Sequence, residues 1–284
     1  MPPEPRRLPL AALALAAFAA AVLGPPLAGR DGLLAQGGRW TNGIGMEFVL
    51  VSPGTFVMGA EPGGPDGAEP DEAPPREVTI SRGFWCSATE LTQAQWEQVM
   101  GAGSSPGFFR GPDRPVESVS FGEALAFADA LNRLEKTGRY RLPTEAEWSY
   151  AAKAGTLTPW SWGADPGDAG PYAWYRENSG METRPVKGKL PNPWGLYDMH
   201  GNVWEWVSDW YGAGWYLEGP ASDPLGPADG AERVVRGGAW DNQAAQLRSD
   251  NRAFLVPGTR ERSVGFRLVF TSGQVKKRLY PDGD

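Results

Sequence analysis

Residues 195–206 read GLYDMHGNVWEW, and this stretch carries the strongest structural signal in the chain. Glycine and asparagine at its centre favour a tight turn, and an acidic side chain stands on each side of them, at Asp198 and Glu205. A hard cation such as Ca²⁺ takes roughly six to eight oxygen ligands from carboxylates and backbone carbonyls. The stretch can therefore form a calcium-binding turn. Alternatively, the two acids cap backbone groups or pair with arginines.

The region around this stretch is rich in tryptophan. Nine of the 13 tryptophans lie between Trp148 and Trp215, among Gly, Pro, Asn and Asp residues with no sustained helical or strand period. The 38 Gly and 27 Pro of the chain indicate many turns. A buried aromatic side chain covers roughly 150–250 Å², so tryptophans can fix loops of this kind. We therefore expect a long irregular region held by buried tryptophans and by a bound metal ion.

Three helices are predicted from their first residues. Each begins with a Ser or Thr followed three residues later by Glu or Gln, the pattern in which the two side chains bond each other's backbone amides. The three sites are 92–95, 120–123 and 144–147. The second helix also carries an apolar stripe at helical spacing, formed by Ala124, Phe127, Ala128 and Leu131.

Short strands are predicted at both ends of the domain. Residues 46–51 and 55–59 are expected to form a β-hairpin through the turn at 52–54, followed by strands at 77–80 and 84–85. Strand character returns at 233–236 and 264–270, and residues 60–75 are expected to form an exposed acidic loop. No internal repeat is present. We therefore predict one α+β domain over residues 43–272 with few short elements and much irregular structure.

Both ends of the chain are predicted to lie outside this domain. Residues 1–35 resemble a signal peptide, with Arg6 and Arg7 before an apolar run at 8–23 that is shorter than the ~20 residues of a spanning helix. Residues 36–42 are expected to be a linker and residues 273–284 a C-terminal tail. The predicted location is periplasmic or secreted, with stable membrane insertion only if the signal segment is not cleaved.

Charge and composition exclude several functions. The net charge of −7 leaves no basic stripe for phosphates, so no nucleic-acid partner is expected. The single cysteine, Cys86, cannot form an internal disulfide and is interpreted as a small buried residue, with a reactive thiol as the alternative. The single histidine, His200, cannot build a transition-metal site alone.

Six motifs in order resemble those of the sulfatase-modifying-factor family, which includes the formylglycine-generating enzymes. They are 45–48 (GMEF), 90–96 (ELTQAQW), 141–148 (RLPTEAEW), 195–206, 236–238 (RGG) and 265–267 (GFR). The resemblance covers nearly the whole mature chain. It implies the formylglycine-generating-enzyme fold, an α+β domain with a C-type-lectin-like core.

The resemblance also implies a structural calcium ion. In the family, the positions that match this chain hold calcium through the side chains of Asp198 and Glu205 and the carbonyls of Gly201 and Val203. A second calcium site of the family needs a longer insertion near Asn178, and it is not expected here.

The oxidative chemistry of the family is not expected in this chain. Formylglycine-generating enzymes bind copper(I) through two cysteines, and the matching positions here are Asn242 and Leu247, whereas copper(I) prefers soft thiolate ligands. Relatives that form sulfoxides hold iron with several histidines, which this chain lacks. We therefore predict neither copper nor iron as a cofactor.

Two other branches of the family suggest which functions remain open to a chain without copper or iron. One branch, concerned with pyoverdine maturation in the periplasm, has the same fold without the copper pair. This resemblance leaves open the alternative that the chain is an enzyme of non-copper chemistry. The other, the variable proteins of retroelements, uses the segment after 236–238 as a binding surface. The candidate contacts that this implies are Trp240, Asp241, Asn242, Arg248, Asp250 and Arg252, with Gln243, Asn251, Phe254 and Arg260 nearby.

The candidate contacts suit a polar ligand, peptide or glycan, because Trp, Arg, Asn and Asp recognise such ligands by stacking and bidentate hydrogen bonds. The alternative is that the arginines are buried partners of loop carbonyls, as expected for Arg236 and Arg267. A binding or accessory module is our leading interpretation. A dry pocket with a carboxylate of shifted pKa would favour an enzyme, whereas an open surface would favour binding.

Overall fold

The computed structural model describes residues 38–63 and 67–271. The predicted signal peptide and C-terminal tail lie outside the described residues. The strands are β1 (Arg39–Thr41), β2 (Glu47–Val51), β3 (Gly54–Met58), β4 (Arg76–Ile80), β5 (Phe84–Ser87), β6 (Trp204–Trp210), β7 (Arg233–Arg236), β8 (Arg252–Leu255), β9 (Val264–Gly265) and β10 (Val269–Phe270). The helices are α1 (Gln93–Met100), α2 (Phe121–Leu134), α3 (Glu145–Lys153) and α4 (Trp215–Glu218). Short 3-10 turns occur at Pro70–Glu72, Pro166–Ala169 and Ala244–Leu247.

The three predicted helix starts are confirmed. Thr92, Ser120 and Thr144 cap α1, α2 and α3, and each cap exchanges hydrogen bonds with the side chain three residues later. The predicted apolar stripe of α2 is buried. Helix α3 differs, because all nine of its residues are buried, including two glutamates and a lysine. A helix buried on every side must satisfy its charged groups within the protein.

The strands form two four-stranded sheets and one two-stranded sheet. Their orders are β1-β2-β5-β10, β8-β7-β6-β9 and β3-β4. The predicted hairpin of β2 with β3 is wrong, because β2 pairs with β1 and β5 whereas β3 pairs with β4. The turn at 52–54 therefore carries the chain from one sheet to another.

The predicted strand at 264–270 is also interrupted by a change of sheet. Strand β9 pairs in parallel with β6, and β10 pairs antiparallel with β5. Between them, the buried guanidinium of Arg267 lies against Glu205, and the Leu268 carbonyl accepts from the Ser87 amide at 2.8 Å. This crossing connects the two larger sheets.

Two boundary predictions need correction. The expected linker at 36–42 includes strand β1, and Trp40 in that strand packs its ring 5.5 Å from Phe48. The domain therefore begins before residue 43. The loop at residues 60–75 was expected to be exposed, but Glu72 within it is buried. Its carboxylate pairs with Arg248.

The long irregular region is confirmed. From 154 to 203 the only helical turn is at Pro166–Ala169, and no strand occurs. Backbone bonds hold this region together and tie it to the end of β7: Asn202 N–H donates to the Trp174 carbonyl at 2.8 Å within the region, and Gly201 N–H donates to the Gly237 carbonyl at 2.9 Å. Trp160 and Trp162 stack with 5.7 Å between ring centroids. None of the helices in the described residues is both long and apolar enough to cross a bilayer.

Candidate functional site

The loop that follows β7 starts with two glycines in conformations that other residues rarely adopt. Gly237 has a φ of 99° and Gly238 a φ of 75°. A Cβ on Gly237 would lie 3.1 Å from the Trp148 ring, and one on Gly238 would overlap Leu247. Glycine is therefore required at both positions for the backbone geometry and for the close packing. The pair turns the chain out of the sheet into the segment with the candidate contacts.

A buried charge network supports this loop from beneath. Arg236 is fully buried and donates to Glu145 at 3.0 Å, to Ser149 at 2.9 Å, and to the carbonyls of Ser249 at 2.6 Å and Asp250 at 3.1 Å. The prediction that Arg236 bonds loop carbonyls is confirmed.

Glu145 is the shared acid of this network, since Arg252 also donates to it, at 2.7 Å. Burial alone would raise the pKa of the Glu145 carboxyl, but Arg252 and Arg236 more than offset this and hold the pKa below its usual value. Glu145 therefore stays ionised, and the network keeps its charges paired.

Three of the six candidate contacts belong to this buried base and not to a surface. The side chains of Arg248, Asp250 and Arg252 are all buried. Arg248 pairs with Glu72, and Arg252 pairs with Glu145. Asp250, the third, pairs with Lys153 at 2.6 Å. This corrects the prediction that Arg248, Asp250 and Arg252 are ligand contacts. Buried acids and a lysine on other elements draw these side chains inward.

The other three candidate contacts are residues 240–242, at the start of the loop that follows β7. Asp241 and Asn242 are partly exposed, and Trp240 keeps 9% of its surface exposed. The indole N–H of Trp240 donates to the Arg262 carbonyl at 3.2 Å. Asn242 holds the loop in shape, because its Oδ1 accepts from the Ala239 amide at 2.8 Å.

Four residues beside this loop were not predicted from the sequence. Phe109 packs its ring against Trp240 with 5.3 Å between centroids, and Phe108 is 52% exposed. The Arg262 guanidinium lies 3.7 Å from the Phe108 ring centroid, and Arg176 donates from Nε to the Asp241 carbonyl at 2.8 Å. The pair of phenylalanines in a polar loop was the one available signal. We call Phe108, Arg176, Trp240, Asp241 and Arg262 the loop surface.

The resemblance implies that the family's copper-binding cysteines would fall at Asn242 and Leu247 of this chain. Leu247 is fully buried and packs with Trp160, and the chain has one cysteine in total. That cysteine, Cys86, lies buried in β5, where burial raises the pKa of its thiol to about 12. A thiol with so high a pKa is protonated at neutral pH and is a poor nucleophile and metal ligand.

The acidic turn at 198–205 adopts strained backbone conformations. Asp198, Gly201 and Asn202 all have positive φ, at 53°, 81° and 60°. Asn202 is buried and supports the turn, because its side chain donates to Glu90 at 2.6 Å and accepts from the Arg184 amide at 2.8 Å. The turn is therefore held rigidly from both sides.

Glu205 is paired with an arginine. Its two oxygens accept from Arg267 Nε and Nη2, both at 2.7 Å, and one also accepts from the Trp148 indole at 2.7 Å. All of these groups are buried. This is the alternative that the sequence left open for the acids of the turn.

Asp198 has an unsatisfied oxygen. Its Oδ2 accepts from the Lys187 amide at 2.9 Å, but the buried Oδ1 has no hydrogen-bond partner. Burial raises the pKa of the Asp198 carboxyl to about 6. The pKa of Glu90 is raised well above its usual value, first by burial and then by Asp198 and Glu205. Arg267 is the positive charge shared by these three buried acids, and Lys187 also acts on Asp198.

His200 fills a structural role in the described structure. It is buried, and its Nδ1 lies 2.7 Å from the Leu247 carbonyl and its Nε2 lies 3.0 Å from Ser161 Oγ. Burial lowers the pKa of the imidazole to about 4, so it is neutral at pH 7. Nδ1 is then the donor and Nε2 the acceptor. Within the described residues, no group of three or more His, Cys, Asp or Glu side chains is placed to hold a metal ion.

Comparison with known proteins relates the whole domain to one family. The model of the sulfatase-modifying factor enzyme 1-like domain matches residues 41–272. A formylglycine-generating enzyme of Streptomyces coelicolor is 30% identical over 246 residues, which cover 81% of this chain and 69% of that enzyme.

Two solved structures are also similar. Treponema denticola variable protein 1 is 31% identical, with a TM-score of 0.71, over 83% of this chain and 99% of its own. PvdO from Pseudomonas aeruginosa is 28% identical, with a TM-score of 0.75, over 84% of this chain and 100% of its own. The predicted fold class is confirmed by these neighbours. The chain therefore belongs to the family of proteins with a sulfatase-modifying factor enzyme 1-like domain.

Proposed function

We propose that this protein is a non-copper member of its family that acts outside the cytoplasm as a binding or accessory module, with the loop surface as its working surface. The observation that carries this proposal is the contrast within one segment. Asp241 and Asn242 are partly exposed beside the nearly buried Trp240, whereas Arg248, Asp250 and Arg252 of the same segment are locked in buried ion pairs. Rigid support lowers the entropy that a binding loop loses when it captures a ligand.

Two clefts among the described residues are too small to hold a substrate, which argues against catalysis at those two places. The cleft beside Asp209 and Glu145 has room for about a single water molecule, and the one beside His200 and Ser161 is narrower still. Asp209, whose pKa burial raises to about 7, lines the first of these clefts, where a substrate has no room. Similarity to Treponema denticola variable protein 1 agrees with a binding role.

An enzyme of non-copper chemistry is the second candidate. The observation that favours it is the similarity to PvdO across 84% of this chain. An enzyme of this kind would use groups at the same loop surface, where Asp241 is the nearest acid. Turnover of a captured ligand, followed by mass spectrometry, separates this candidate from simple binding.

We also propose that calcium stabilises the turn at 198–205. The residues fit such an ion in two respects. The orphaned Oδ1 of Asp198 is a buried oxygen without a hydrogen-bond partner, and the three buried acids outnumber their nearby cations, Arg267 and, at Asp198, Lys187. A divalent cation would supply the missing positive charge, with ligands from Asp198, the carbonyls of Gly201 and Val203, and Glu205. Because Arg267 and Trp148 already occupy much of the Glu205 carboxylate, Asp198 would be the dominant side-chain ligand.

Export is the third element of the proposal. It is supported by the sequence of residues 1–35, in which two arginines precede an apolar run. Fusing residues 1–40 to a reporter that is active only after export tests it, with Arg6→Glu and Arg7→Glu as the matched defective leader. A reporter that remains inactive with the natural leader would contradict export.

The test of the binding role is a screen of the purified protein against glycan, peptidoglycan and peptide arrays. Hits are repeated with Arg176→Ala and Asp241→Ala, which alter exposed side chains at the loop surface. Arg82→Ala is the matched control, since Arg82 is an exposed arginine on the β4–β5 turn. Loss of capture by the first two variants, with an unchanged Tm, is the expected result. A hit that survives both changes would place the site elsewhere.

A further inference from the structure

Two arginines at the loop surface have no acidic partner. Arg262 and Arg176 are exposed, and no carboxylate in residues 38–63 or 67–271 lies within 4.0 Å of either guanidinium in an ion pair. Arg262 is held by stacking on Phe108, and its backbone carbonyl accepts from Trp240. Arg176 is held by its Nε bond to the Asp241 carbonyl and by its amide bond to the Asn242 carbonyl at 2.9 Å.

Most of the 17 arginines in residues 38–63 and 67–271 are paired with an acid, although exposed Arg82, like Arg262 and Arg176, has no ion pair. The chain carries a net charge of −7, and ten of the described arginines form salt bridges with Asp or Glu. In a protein with an excess of acids, two guanidinium groups without acidic partners on one small surface are positioned for an external anion. Both are fixed by stacking or by backbone bonds, so little side-chain entropy is lost on binding.

Apolar groups lie next to these cations. Phe108 is 52% exposed and Met181 is 54% exposed. The Met181 amide donates to Ser179 Oγ, which itself donates to the Trp240 carbonyl at 2.8 Å, so Met181 lies near the Trp240 backbone. Phe108 adjoins Phe109, whose ring packs on Trp240. Two large exposed apolar side chains near Trp240 form a place where an apolar side chain can be anchored.

We propose that the loop surface binds an extended acidic peptide segment, in which one apolar side chain packs on Phe108 and Trp240 and flanking carboxylates pair with Arg262 and Arg176. This inference rests on the proposed binding role of the same surface. Guanidinium groups bind carboxylates through two parallel hydrogen bonds, and the pairing is strengthened when the arginine is stacked on an aromatic ring. A basic peptide would meet two fixed positive charges and be repelled.

Asp241 provides an internal check on the charge argument. Its carboxylate is partly exposed and stands beside Arg176 in the loop surface. It therefore opposes an acidic ligand. Asp241→Asn should strengthen the binding of an acidic peptide, whereas a surface that selects basic peptides would be weakened by the same change.

The experiment uses three fluorescein-labelled octapeptides with a central phenylalanine, flanked by glutamates, by lysines or by serines. Binding to the full chain is measured by fluorescence anisotropy at about 50 mM and 150 mM salt. We expect the acidic peptide to bind most tightly and to weaken as salt is raised. Arg262→Gln and Arg176→Gln should each lower its affinity by about tenfold, as loss of a charge-assisted pair does. Arg82→Gln should leave the affinity unchanged, and each variant must keep the parent Tm.

The outcomes separate this inference from the proposed function. Preference for the basic or the serine peptide overturns the acidic-ligand inference but leaves a binding role in place. Capture of a glycan on the arrays with no binding of any octapeptide would likewise overturn the acidic-ligand inference and leave the binding role in place. Failure to capture any peptide, glycan or peptidoglycan overturns both proposals. Acidic-peptide binding that survives both arginine changes also overturns the inference, because the charge would then come from another surface.

Discussion

Replacing Glu145 by glutamine should destabilise the domain by about 3–5 kcal/mol, because it leaves buried charges without their partner. Arg236 and Arg252 donate to Glu145 Oε1 at 3.0 and 2.7 Å, and Arg252 donates to Oε2 at 3.1 Å. Glutamine keeps the volume of the side chain but removes its charge, so two buried guanidinium groups lose the acid that balances them. The size of the effect is therefore a measure of the charge network and not of a cavity.

The assay is thermal and urea unfolding of the variant beside the parent. For a domain of this size, each kcal/mol changes Tm by roughly 2–4 °C, so Tm should fall by about 6–20 °C. Arg260→Gln is the matched control, since it breaks an exposed ion pair with Glu123 and should leave Tm nearly unchanged. A fall of less than about 2 °C for Glu145→Gln, or a gain in stability, would refute the reasoning.

The Glu145→Gln variant should also make the loop at residues 239–247 less rigid. Arg236 fixes the carbonyls of Ser249 and Asp250, and it depends on Glu145 for its charge balance. Under conditions where the variant is still folded, the amides of residues 239–247 should exchange hydrogen faster than in the parent. Unchanged exchange there would mean that the network supports the core but not the loop.

Three further predictions address pH, calcium and chemistry. Burial, with a smaller effect from Glu145, raises the pKa of the Asp209 carboxyl to about 7, so the folded state favours the neutral acid and stability falls as pH rises from about 4 to 7. Asp209→Asn should flatten that fall and raise Tm at pH 8, and an unaltered pH profile would contradict it. A calcium chelator should lower Tm, since a ligand at a hundred times its Kd adds about 2.7 kcal/mol, and Asp198→Ala but not Asp168→Ala should abolish the response. With copper supplied, the protein should not convert the cysteine of a Cys-x-Pro-x-Arg peptide to formylglycine, and a mass change above the protein-free control would show otherwise.

Local features of the fold were predictable because they depend on neighbouring residues. The three helix caps and the apolar stripe of α2 follow from spacings of three and four residues, which a sequence displays directly. The irregular region was predictable for the same reason, since Gly and Pro prevent long helices and strands. The partners of the strands were not, because β2 and β3 are adjacent in sequence but pair with different strands.

The candidate site was only half predictable, for a physical reason. Arg248 and Arg252 look like surface contacts until their partners, Glu72 and Glu145, are seen to come from segments more than a hundred residues away. Likewise, Phe108 and Arg262 meet only through the tertiary fold. An arginine is equally compatible with a buried ion pair and with an exposed contact, and only the distant acid decides between them.

The sharing of one sheet by the first and last strands has a consequence for how the polypeptide matures. The rings of Trp40 in β1 and Phe270 in β10 lie 5.4 Å apart, and Arg139 stacks on both at 4.6 Å. This seam cannot close until residue 270 has been synthesised, and its contacts of high sequence separation should make folding slow. Once closed, the seam brings the two ends of the domain together, so longer polypeptides could carry it as a single insert.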